Sequence, residues 1–160
     1  MRLIVAALCL LPALVWGQSE RDVFRAFDRL QARIEVGINL RDYTTALGDI
    51  NYELKSFTEA AKTSKERTIS EALSTALNEH KMASSLWEYN IQMGSRYGSA
   101  AIELDSTLGR SMAERYPDSI KPRDEGGALT GSKKHLDVEI LRRFAWRAAQ
   151  AHVTRAKGAR

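Results

Sequence analysis

From Tyr43 to Trp87 the apolar positions fall in two regular ladders. Tyr43, Leu47, Ile50, Leu54, Phe57 and Ala61 recur at 4-3-4-3-4. Ile69, Leu73, Ala76, His80, Ala83 and Trp87 repeat that spacing. Each set lies along one face of a helix. Folded antiparallel about residues 62–68, the ladders meet at a constant index sum: 61 with 69, 57 with 73, 54 with 76, 50 with 80, 47 with 83 and 43 with 87. Leu54 on Ala76 and Leu47 on Ala83 set a large residue against a small one, as interdigitating helices require. The pattern predicts a long antiparallel helical hairpin, about 40–62 and 66–93. No Pro or Gly interrupts Thr63-Ser64-Lys65-Glu66-Arg67, so capping must make the turn.

Upstream, Val23, Phe27, Leu30 and Ile34 recur at 4-3-4, and Ser19 is placed to cap their helix, with Asp22 in its first turn. Their face lies about 180° from that of Leu47, Ile50 and Leu54 at 100° per residue, so one straight helix would bury opposite sides. A turn at 37–39 resolves the conflict. Gly37 suits a left-handed helix end, and Asn39 can cap the next helix with Asp42 three residues later. Arg21, Arg25, Arg29 and Arg33 recur every four residues on another side. They read as a solvated face rather than an anion stripe.

Downstream the pattern weakens. Ala101, Leu104, Leu108 and Met112 suggest a helix over about 100–116, weakened by Gly109 and stopped by Pro117. Pro and Gly punctuate residues 117–131, which read as a loop or linker. A last helix is expected from 133–137 to about 156, with Leu136, Ile140, Leu141, Phe144, Ala148 and Ala151 as its apolar face and Val138 and Trp146 off it. No strand pattern of useful length appears. The expectation is an all-α protein, a helical bundle of four or five helices built around the 40–93 hairpin.

The ends change the picture. Arg2, the apolar run Leu3–Trp16, and Val15 and Gly17 before Gln18 read as a signal peptide over residues 1–17. The run is shorter than the roughly 20 apolar residues of a membrane span. Cleavage before Gln18 would remove Cys9, the sole cysteine, leaving neither disulfide nor thiol chemistry. Residues 18–160 are then expected as a single helical domain resting on packing alone, which suits a bacterial periplasm. Charge is uneven. Residues 18–131 hold 15 Lys/Arg against 18 Asp/Glu, whereas residues 132–160 hold 8 against 2. A nucleic-acid binder would be basic over its whole folded face, so no nucleic-acid partner is expected. Residues 157–160 read as a frayed basic tail.

Candidate chemistry is sparse. His80 stands at the centre of an apolar ladder, where a buried imidazole needs a hydrogen-bond partner such as Glu53. Tyr43, Trp87 and Asn90 continue the polar set at that end of the hairpin. In the last helix Arg143 and Arg147 flank Trp146, a pattern that suits an anionic membrane or an acidic partner. These seven residues are the candidate binding residues. No Glu-x-x-His, no His pair four apart and no Cys-x-x-Cys-His is present, so no metal ligands and no cofactor are assigned. No serine stands in a Ser-x-x-Lys or strand-turn context, and no catalytic residue is assigned. The reading is an exported, non-enzymatic helical module of the periplasm or cell envelope, binding a protein or small ligand. The alternatives are a haem- or metal-holding bundle pairing His80 with Met82, Met93 or Met112, and an enzyme of unrecognised type.

Overall fold

The computed structural model describes residues 11–94, 99–130 and 134–160, with side chains from Glu20 onward. Among the described residues five α-helices carry the fold: α1 (Leu11–Val36), α2 (Leu40–Ala60), α3 (Ser64–Met93), α4 (Thr107–Arg115) and α5 (Val138–Gly158). A three-stranded antiparallel sheet joins them, made of β1 (Ala101–Glu103), β2 (Leu129–Thr130) and β3 (His135–Asp137) in the order β1-β3-β2. Residues through Leu77 with His152–Arg160 form one compact unit, and Asn78–Ala151 form the other. The long helices α3 and α5 contribute to both. Among the described residues no helix is long and apolar enough to cross a membrane.

In the first unit the turn at 37–39 is present. Gly37 sits at φ 94°, a region that L side chains resist. Asn39 caps α2 by accepting from the Asp42 amide at 2.9 Å. The chain reverses there, and α1 and α2 run antiparallel. They bury Val23, Phe24, Ala26, Phe27 and Leu30 on one side and Tyr43, Ala46, Leu47, Ile50, Leu54 and Phe57 on the other. Arg21, Arg25, Arg29 and Arg33 are all exposed, as a solvated face. Ser19 is not a cap, because α1 already runs from Leu11; residues 1–10 of the expected signal, with Cys9, lie outside the described residues.

Capping alone makes the second turn. Glu66 Oε2 accepts from the amides of Lys62 at 2.9 Å and Thr63 at 2.8 Å, while Thr63 Oγ1 accepts from the Glu66 amide at 3.1 Å. This reciprocal box satisfies donors a helix start leaves open. Beyond it the Thr58 and Ser70 hydroxyls meet at 2.6 Å. Their indices sum to 128, within a turn of the predicted 130. Residues 157–160, expected to fray, are instead anchored. Lys157 Nζ reaches Asp28 at 2.7 Å, and Arg160 Nε reaches Glu20 at 2.6 Å. The Arg160 guanidinium covers the Phe24 ring, and its carbonyl accepts from Lys65 Nζ.

The second unit departs most from the sequence expectation. The helix predicted over 100–116 is a short strand, a turn and then α4. Ser106 caps α4, accepting from the Gly109 amide at 3.0 Å. The predicted loop over 117–131 holds two 3-10 turns, Pro117–Ile120 and Arg123–Glu125, and then β2. The sheet has one core face, where Ile102, Leu136 and Leu129 stand side by side and buried. It hides from pattern reading because each strand supplies only one or two buried residues.

The last helix starts at Val138, later than expected. Asp137 Oδ1 accepts from the Ile140 amide at 3.1 Å. The buried stripe of α5 is Val138, Leu141, Ala145, Ala149, Val153 and Ala156, turned away from the predicted face. Ala151 is exposed, and Ile140, Phe144 and Ala148 are half-buried. Alanines let a helix backbone approach its neighbour closely, so the small residues, not the largest ones, mark the packed side.

Candidate functional site

His80 is buried to 4 % exposure. Burial pushes its imidazole down from 6.5 to about 4, so it is neutral at pH 7. Its sequence neighbour Glu79 is also buried, at 6 %. Glu79 falls on a second 4-3-4-3 stripe of α3, with Ala72, Ala76, Ala83 and Leu86, and all five are buried. That position was the available signal for a buried carboxylate, and sequence reasoning passed over it.

The Glu79 carboxylate is saturated. Arg115 Nη2 donates to Oε1 at 2.7 Å, and the Tyr116 hydroxyl donates to Oε2 at 2.6 Å. Arg115 Nε lies a further 3.4 Å from Oε2. Burial first, and then the Glu79 carboxylate, push the Tyr116 hydroxyl well above its usual range, which keeps it a donor. The bond to Glu79 raises the Arg115 guanidinium in turn. A carboxylate held this way cannot serve as a general base. It fastens the end of α4 to α3.

Two of the predicted binding residues come together. Trp87 and Trp146 meet edge to face, with ring centroids 6.1 Å apart. The Arg142 guanidinium lies 4.2 Å from the Trp87 centroid and 4.8 Å from that of Trp146, and it pairs with Glu139. Its side chain is 11 % exposed, so this stack is packing rather than a receptive surface. Arg143 and Arg147 do face solvent. Arg143 reaches Glu139 at 3.9 Å, and Arg147 lies over Phe144. Asn90 is engaged, its Oδ1 accepting from the Ala100 amide at 2.7 Å and from the Ser99 hydroxyl at 3.2 Å. Tyr43 is a fully buried core residue of the first unit.

A different group remains open. Glu103, Leu104, Asp105, Lys134 and His135 line a concavity of about 400 Å3 in the second unit. Glu103 and His135 are direct cross-strand partners of β1 and β3. The Leu104 amide donates to the Lys134 carbonyl at 2.8 Å just beyond them, which makes 103 and 135 a non-hydrogen-bonded pair. In such pairs the side chains stand closest, with Cβ atoms roughly 5 Å apart. Ile102 and Leu136 face the core, so alternation puts Glu103 and His135 on the outer face. The side chains of Glu103, Asp105, Lys134 and His135 form no hydrogen bond or ion pair with any described residue. Glu103 and Asp105 are a local carboxylate pair in the sequence, and without the strand register nothing joins them to His135. Among the described residues no group of three or more His, Cys, Asp or Glu is placed to hold a metal ion.

Comparison with protein-family models, with curated proteins and with solved structures finds no match.

Proposed function

We propose that this chain is an exported, non-enzymatic helical binding module of the bacterial envelope. The observation that carries the reading is how its ionisable groups are divided. Those in the core are closed on one another, Glu79 with Arg115 and Tyr116, and Arg142 with Glu139 and two tryptophans. Glu103, Asp105, Lys134 and His135, whose side chains are unpaired among the described residues, line an open concavity. Groups locked in structural pairs are poor acids, bases and nucleophiles, whereas free charges around a hollow suit reversible recognition. Export is supported by the N-terminal pattern, with Arg2, the apolar run to Trp16, and Val15 and Gly17 before Gln18.

Two measurements test this. Full-length protein expressed in a bacterium is fractionated, and the mature N-terminus is read by mass spectrometry. Gln18 at the start of a periplasmic species is expected; a cytoplasmic species retaining Arg2 overturns the export reading. Purified protein is then incubated with a panel of amino acids, peptides, sugars and phosphates. Thermal shift and the fate of each compound are followed together. At least one compound is expected to raise Tm while remaining chemically unchanged. Catalytic conversion of any compound overturns the non-enzymatic reading.

A further inference from the structure

We infer that the concavity at the β1–β3 edge is a site for a basic α-amino acid, a ligand carrying one carboxylate and two cationic groups. The inference rests on the binding-module reading and names the ligand class for it. The argument is the match of charges. The lining supplies two carboxylates, Glu103 and Asp105, and one ammonium, Lys134. Together these three groups carry a net charge of −1. A basic amino acid presents the complementary set, two positive charges and one negative. Its α-carboxylate pairs with Lys134. Its α-ammonium and side-chain cation take the two carboxylates, and its methylenes lie on Leu104. His135, directly across from Glu103, supplies a ring nitrogen that either donates or accepts.

The geometry supports a small ligand in particular. The hollow of about 400 Å3 falls at the low end of small-molecule sites. Its walls are set by backbone, because the β1–β3 register and the Leu104–Lys134 hydrogen bond hold the two lining segments together. The four ionisable side chains form no bond with any described residue, so no bond among those residues is broken when they meet a ligand. An acidic amino acid presents the opposite charge set and is excluded by like-charge repulsion.

The test is NMR titration of the isotope-labelled full chain with L-arginine, with agmatine (arginine without its carboxylate) and with L-glutamate. L-Arginine is expected to shift the amides of 103–105 and 134–135 saturably, with Kd at or below about 1 mM; L-glutamate is expected to shift none. Glu103→Gln and Asp105→Asn should each weaken L-arginine about tenfold, the scale of one charge-assisted hydrogen bond. Lys134→Met should weaken L-arginine while leaving agmatine unchanged, a difference that misfolding cannot produce. Absence of saturable shifts with L-arginine, shifts confined to other residues, or equal binding by all three variants overturns the assignment. A different compound raising Tm while this concavity stays silent ends the amino-acid assignment alone and leaves the binding module standing.

Discussion

The Tyr116 hydroxyl donates to Glu79 Oε2 across 2.6 Å, while its sequence neighbour Arg115 holds the other carboxylate oxygen at 2.7 Å. Two consecutive residues at the end of α4 thus close on one buried group of α3. Removing Glu79 leaves the hydroxyl and the guanidinium without an acceptor. Glu79→Ala should cost about 3–5 kcal/mol, the range for breaking a buried pair by deleting one partner. Tyr116→Phe should cost about 1–3 kcal/mol. Urea unfolding of both variants checks the order; a Tyr116→Phe loss as large as that of Glu79→Ala would contradict it.

His80 gives acid sensitivity of defined sign. Its folded value is about 4 against 6.5 for the free group. Between these values the unfolded chain binds the extra proton, so stability rises with pH there. The contribution is fully present above 6.5 and is lost as pH falls toward 4. The difference between the two values corresponds to about 3 kcal/mol. His80→Leu should remove this slope, while at pH 7 its stability should lie within about 1.5 kcal/mol of the parent. Urea midpoints at pH 7.5 and pH 4.5 for both proteins test this, and an unchanged pH dependence in the variant would refute it.

Gly37 and Gly48 should respond in opposite directions. Gly37 has φ 94°, where a β-branched residue is strained, so Gly37→Val should cost about 1–3 kcal/mol. Gly48 lies inside α2, exposed, with open space where a Cβ would stand. Gly48→Ala should stabilise by about 1 kcal/mol. Thermal melts of the two variants are sufficient.

Gly109 reverses the usual rule. Helix propensity alone favours alanine there, yet a Cβ would overlap the Glu103 carbonyl oxygen where α4 crosses the end of β1. Gly109→Ala should destabilise by about 1–3 kcal/mol. A melt that shows stabilisation would mean that α4 stands further from β1.

The hairpin was legible because its ladders are long and because Gly37 and Asn39 carry clear end chemistry; the Thr63–Glu66 box emerges only from the structure. Three-residue strands leave no such trace. Ile102, Leu129 and Leu136 each look like an isolated apolar residue until they stand in one row. The face of α5 was misjudged for another reason. Phe144 and Ile140 outweigh alanine in size, but Ala145, Ala149 and Ala156 are the residues that are fully buried. The open site was illegible because it depends on register, which joins Glu103 to His135 across 32 positions of chain.

The salt links of Lys157 to Asp28 and Arg160 to Glu20 have a consequence in time. They join positions 129 and 140 residues apart, and Val153 and Ala156 are buried with them. During synthesis α1 and α2 emerge long before their last partners exist. The unit therefore closes through contacts of very high sequence separation, which form late because the loop they close is long.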